Sequence, residues 1–147
     1  MLLIPFTTLP ASAPVVEGLA GWRVLADPAS LDELSGTFPV SSPSAGRGVV
    51  LRFAPDDALV LGENEVVVTD PHAIVERDTG WVSIQMTEEH ALDLIATHAL
   101  WPAPPERPVL VQGMLAGLSV KVYLDGNQSM IITAAPFGLE LEERLST

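Results

Sequence analysis

Cysteine is absent from this 147-residue chain. Its absence excludes a disulfide framework, a thiolate zinc site, an iron–sulfur cluster and a cysteine nucleophile. It fits a reducing compartment, and the cytoplasm is the expected location. Basic residues are scarce: seven Lys and Arg stand against 19 Asp and Glu, a net charge of −12. Nucleic acid and anionic membrane surfaces need clustered cations, so neither is expected as a partner. The acidic balance either keeps the chain soluble through self-repulsion or offers an acidic face to a basic partner. No apolar run reaches the ~18 residues of a membrane-spanning helix. Aromatics are few, with three Trp, four Phe and one Tyr.

Hydrophobic residues make up 48% of the chain, enough for one domain with its own core over residues 1–147. Residues 1–20 carry Pro5, Pro10 and Pro14 with no clear period, and are expected to form an irregular arm. Ala11-Ser12-Ala13 resembles a signal-peptidase site, but no Lys or Arg precedes the apolar stretch and Pro5 interrupts it, so an uncleaved arm is expected.

Gly21–Ala26 reads as a short strand, and Asp27-Pro28 opens a helix that Gly36 ends after Ser35. Thr37–Gly48, rich in Pro, Ser and Gly, reads as a surface loop. Val49–Ala54 and Ala58–Leu61 are strands joined through Pro55-Asp56-Asp57. Asn64–Thr69 and Ala73–Glu76 are short strand candidates, and Asp78-Thr79-Gly80 reads as a turn. In Trp81–Met86, Val82, Ile84 and Met86 face one way while Trp81, Ser83 and Gln85 face the other. Thr87 then suits an N-cap, with Glu88 and Glu89 at the positive end of the helix dipole. Ala91, Leu92, Ile95 and Ala99 fall on one helical face, and Glu89, His90, Asp93 and Thr97 on the other. Trp101–Pro108, with four prolines, is a stiff loop. Val109–Leu115, Leu118–Leu124 and Gln128–Ala134 form a meander, turned at Ala116-Gly117 and Asp125-Gly126-Asn127. Leu118, Val120, Val122 and Leu124 are expected inward, and Ser119, Lys121 and Tyr123 outward. Pro136 suits the start of a last helix with Phe137, Leu141 and Leu145 as its buried stripe and Glu140–Arg144 as an i,i+4 ion pair. Hairpins without regular βαβ alternation predict an α+β fold, a mainly antiparallel sheet with two or three helices.

Few of these residues suggest chemistry. The polar helical face of Glu89, His90, Asp93 and Thr97 has the residue types of a metal or acid–base site, but an amphipathic helix must have such a face in any case. His98, in the last helical turn, suits capping or boundary packing, and His72 follows Asp-Pro with no visible partner. Gly113 and Gly117 have GxxxG spacing in a β pattern, which reads as a bulge and a turn. There is no HExxH, GxGxxG, Walker loop or nucleophile elbow. No catalytic, cofactor-binding or metal-binding residue is therefore assigned. Core packing is expected for Trp22 and Trp81, whereas Trp101, leading into the proline-rich loop, is the candidate partner contact.

The run Val49–Gly62 (VVLRFAPDDALVLG) resembles a hallmark of the gamma subunit of heterotetrameric sarcosine oxidase: a strand with an Arg, a Pro-Asp-Asp/Glu turn, and an aliphatic strand ending in Gly. Glu76–Trp101 and Val109–Leu145 follow in the family's order, so the resemblance covers residues 48–145. Met86-Thr87 stands where the family usually has Gly-Pro. The resemblance implies a fold similar to the folate-binding aminomethyltransferase-like domain. It also implies membership of a complex that oxidatively demethylates sarcosine to glycine and passes the one-carbon unit to tetrahydrofolate. The FAD, FMN, NAD, zinc and tetrahydrofolate would belong to larger flavoprotein partner subunits, with this chain non-catalytic. The alternative is a free-standing module of the same fold that binds folate or another small ligand.

Overall fold

The structure, a computed structural model, describes residues 16–39, 41–44 and 48–147. In chain order the elements are β1 (Val16–Leu25), α1 (Pro28–Ser35), β2 (Ser42–Ser44), β3 (Gly48–Ala54), β4 (Asp57–Leu61), β5 (Ile74–Thr87), α2 (Glu88–His98), β6 (Val109–Leu115), β7 (Leu118–Leu124), β8 (Gln128–Ala134), a 3₁₀ turn (Ala135–Phe137) and α3 (Gly138–Leu145). The strands form one sheet in the order β2-β3-β4-β1-β5-β8-β7-β6. Every pairing is antiparallel, as the α+β reading requires. No helix among the described residues is long and apolar enough to cross a membrane.

The sheet curls. Leu51 and Phe53 of β3 share an apolar cluster with Leu110 of β6 and Tyr123 of β7, although these strands lie far apart in the sheet order. The concave face therefore has its own core, which includes Leu19, Leu59, Met130 and Ile132. The convex face carries α1, α2 and α3. Leu31 of α1 packs on Val24, Val50, Ala58 and Val60, while Ala91 and Ile95 of α2 and Leu141 of α3 pack on Ile84, Val120, Val122 and Ile131. Burying each such Leu or Ile stabilises the fold by roughly 1.5–3 kcal/mol.

Local chemistry sets the helix ends. Asp27 caps α1 by accepting from the Ser30 N–H at 2.8 Å, and Gly36 ends it with φ 75°. Thr87 caps α2 by accepting from the His90 N–H. Glu88 in its first turn accepts from the Gly126 N–H at 2.8 Å and from Arg107 Nε at 2.7 Å, tying α2 to two loops. Arg52 of β3 is only 1% exposed. Its guanidinium donates to the carbonyls of Pro28, Gly36 and Pro55 and pairs with Asp32, binding α1 to the β3–β4 hairpin.

Several expectations are corrected. The arm predicted over residues 1–20 ends earlier, because β1 begins at Val16 and pairs with β5 from Val16↔Ile84 onward; the remainder of the arm and the signal-like Ala11-Ser12-Ala13 lie outside the described residues. The Thr37–Gly48 loop contains β2, which pairs with β3. Asn64–Thr69 is not a strand, since β1 is already paired on both edges, by β4 and β5. Asp78-Thr79-Gly80 is a bulge inside the 14-residue β5 and not a turn: Gly21 pairs with Asp78 and Leu19 with Trp81. Gly113 sits in regular pairing with Val120, with no bulge. Phe137 is 47% exposed because it precedes α3 in the 3₁₀ turn, outside the helical register of Leu141. Tyr123 is buried at 2% exposure, since the face of β7 expected to meet water lines the concavity.

Candidate functional site

The period of two along β1 and β5 directs polar side chains onto the concave face, where no helix of the described residues covers them. At one end they form a charged and aromatic cluster. Arg23 donates from Nε and Nη2 to the two carboxylate oxygens of Asp57 at 2.5 and 2.6 Å, the bidentate fork of a guanidinium–carboxylate pair. Its Nη1 reaches Asp78 Oδ2 at 3.4 Å. Asp78 also accepts from Trp81 Nε1 at 3.0 Å and from the Gly80 N–H at 2.9 Å, so the bulge in β5 is held by the carboxylate that opens it. The hydrogen bond to Asp57 is the main force raising the Arg23 pKa. Burial works to raise the Asp78 carboxyl, but the hydrogen bonds from Gly80, Trp81 and Arg23 outweigh it and hold the group below its ordinary value.

The rings of Phe53 and Trp81 pack with centroids 5.4 Å apart and planes tilted by 57°. The Arg23 guanidinium lies 5.0 Å from the Phe53 centroid, and Lys121 Nζ lies 4.5 Å from Phe53 and 5.4 Å from Trp81. Lys121 Nζ donates to Gln112 Oε1 at 2.8 Å, and Gln112 Nε2 donates to the Phe53 carbonyl at 2.7 Å. This chain of contacts joins β6 and β7 to β3 and closes the curl. Burial, and then the charge of Arg23, lower the Lys121 pKa. The cluster locks the mouth of the curl; it presents no nucleophile beside a free base.

At another place on the sheet, where β4 ends and β1 continues past it, a cleft of about 330 Å³ opens against the concave face. Leu19, Val49, Leu61 and Met130 supply apolar walls, and Gln85 lines it as well. Gln85 is 4% exposed, and among the described residues its Oε1 has no hydrogen-bond partner. Three further buried oxygens share that condition: Glu17 Oε2, Ser83 Oγ and Gln128 Oε1. The register places them together. Glu17 pairs with Ser83, Gln85 follows Ser83 by two residues and pairs with Met130, and Gln128 precedes Met130 by two. Each unpaired buried oxygen costs about 1–3 kcal/mol; Glu17 can only accept, whereas the Ser83 hydroxyl and the two amides can also donate.

The residues singled out from sequence lie elsewhere. Trp101 is half-buried in the loop before β6; its Nε1 donates to the Met114 carbonyl at 2.8 Å and its indole covers Gly113. Glu89, Asp93 and Thr97 of α2 are exposed, and the described residues contain no group of three or more His, Asp or Glu placed to hold a metal. His98 is half-buried, and its carbonyl accepts the Ala116 N–H at 3.0 Å. The His72 N–H donates to Asp70. The concave cluster and the cleft were not foreseen. Their signal is the polar half of the alternation in β5, Ser83 and Gln85, and the Lys121 of β7.

No protein-family model matches the sequence, and no curated protein matches it. Among solved structures the chain is similar to one chain of the heterotetrameric sarcosine oxidase from Corynebacterium sp. U-96, determined in complex with pyrrole 2-carboxylate. The match covers 94% of this chain and 84% of that one, with 16% identity and a TM-score of 0.67. At that identity the likeness is one of fold: this chain has the same α+β architecture as a subunit of a heterotetrameric sarcosine oxidase.

Proposed function

We propose that this chain is a non-catalytic, gamma-like subunit of a sarcosine-oxidase-type complex. The observation that carries the reading is the likeness of fold to a chain of such a complex over 94% of its length. The Val49–Gly62 run agrees with it: Arg52, part of the family-like pattern, fastens the β3–β4 hairpin to α1. In this reading larger flavoprotein subunits hold FAD, FMN, NAD, zinc and tetrahydrofolate and carry the demethylation of sarcosine to glycine. This chain contributes an acidic surface for docking, with Trp101 at a contact, and it resides in the cytoplasm. Deleting the chain in its native host tests the assignment. Sarcosine-dependent oxygen uptake should fall and return when the chain is re-expressed; unchanged uptake in the deletion counts against it.

The cleft favours a second reading, a module that holds folate or another small ligand. Its volume of about 330 Å³ is within the usual range of ligand pockets. Tetrahydrofolate titrated into the isolated chain should change tryptophan fluorescence if folate is that ligand, since Trp81 lies on the same concave face. A flat titration removes folate from consideration.

A further inference from the structure

We infer that the cleft beside β1 and β5 takes a small organic amine, which rests on the small-ligand reading above and names its ligand class. The walls of Leu19, Val49, Leu61 and Met130 ask for an apolar body. Gln85 gives the site a polar point, nine-tenths buried and without a partner for its carbonyl oxygen.

The sign of the ligand follows from what stands beside that point. The amide of Gln85 can turn either end toward a guest. Glu17 cannot: its carboxylate only accepts, and its Oε2 is buried and unpaired, in register with Ser83 one step along the same face. Ser83 Oγ and Gln128 Oε1 also have no partner. A carboxylate or carbonyl guest could accept from the Ser83 hydroxyl or an amide N–H but would meet the Glu17 carboxylate as acceptor against acceptor, whereas an ammonium brings three donors and a positive charge. The charge of −12 over the whole chain adds a field that concentrates cations at such a mouth. Arg77, a cation on the lining, donates to the carbonyl of Gly62, which also lines the cleft, at 2.8 Å and lies 5.5 Å from the Trp22 ring. The bound amine sits with its carbon body on the aliphatic walls and its N–H groups toward Gln85 and the acceptors behind it.

The test uses the full chain and three probes that share one body: benzylamine, benzoate and toluene. Two-dimensional NMR follows the Gln85 side-chain amide and the Met130 methyl. Benzylamine is expected to shift both signals and to bind at least about tenfold more tightly than either of the others. Gln85→Leu should abolish that preference while the protein remains folded, since it removes an unpaired acceptor without opening a void. Glu17→Gln, which keeps the shape, should weaken benzylamine and leave toluene unchanged, and it serves equally if Gln85→Leu does not fold. Benzoate or toluene bound as tightly as benzylamine overturns the amine assignment and leaves the small-ligand reading in place. No shift with any probe overturns both. A benzylamine preference, read at the Met130 methyl, that survives both substitutions overturns the assigned contacts.

Discussion

The indole nitrogen of Trp101 lies 2.8 Å from where a Cβ on Gly113 would stand. Gly113 is in the middle of β6, regularly paired with Val120, so no turn or bulge explains the glycine. The tryptophan explains it: the nitrogen side of the indole packs on Gly113 and donates to the carbonyl of the next residue, Met114. The proline-rich loop is thereby fixed against the sheet. Gly113→Ala is expected to destabilise the fold by about 1–3 kcal/mol through overpacking, and Trp101→Phe to lose only the hydrogen bond, about 1 kcal/mol. Urea unfolding of both variants checks the order; a neutral Gly113→Ala would contradict it.

Arg52 should be the least replaceable cation. Four groups lose a hydrogen bond if it goes: the carbonyls of Pro28, Gly36 and Pro55 and the carboxylate of Asp32. Arg52→Met is expected to cost about 3–5 kcal/mol. Arg52→Lys should recover little, because one ammonium cannot reach partners set around a planar fork. Thermal unfolding of the two variants beside Arg23→Ala gives the comparison. Arg23 is partly exposed, so its loss should cost less despite its bidentate pair with Asp57.

Tyr123 gives a titration that reads one residue, because it is the only tyrosine. Burial, and secondarily the charge of Asp125, push its pKa from 10.0 up to about 12. The folded state therefore keeps its proton where the unfolded state loses it. The stability from this group is full below pH ~10 and is lost as pH rises toward ~12, in all about 2–3 kcal/mol. Ultraviolet titration should show phenolate forming near 12 in the native protein and near 10 in denaturant. Tyr123→Phe should flatten the fall in stability over that interval. A native midpoint near 10 would contradict the buried placement.

Asp78 predicts the acid limb. Its folded pKa is lowered, so its contribution is present above the ordinary carboxylate range and is lost as pH falls through the folded value. Asp78→Asn should therefore reduce the slope of stability against pH in acid, and should loosen the bulge that Asp78 closes onto Gly80. Hydrogen exchange at the Gly80 amide measures the second effect; unchanged protection would contradict it.

These residues also show what the sequence made legible. The change of period at Thr87, from alternating to helical, predicted the Trp81–Met86 part of β5 and α2 because cap, dipole and apolar spacing are all local there. The β6–β7–β8 meander was legible for the same reason, with glycine at both turns. The curl was not. It depends on β3 meeting β6, and nothing local to Phe53 or Gln112 encodes a contact across 59 positions. Without the curl, Lys121 and Tyr123 read as the wet face of a strand, and Ser83 and Gln85 as ordinary outward polar residues. The Asp78-Thr79-Gly80 segment misled because a bulge and a turn use the same residue types; only the continuous pairing with β1 on both sides distinguishes them.

The most direct measurement of the central reading is co-purification of the tagged chain from its native host under gentle conditions. The subunit reading predicts that the chain elutes with larger chains, that the eluate shows the visible absorbance of bound flavin, and that it oxidises sarcosine. Recovery of this chain alone, with no flavin and no sarcosine oxidation, would contradict it.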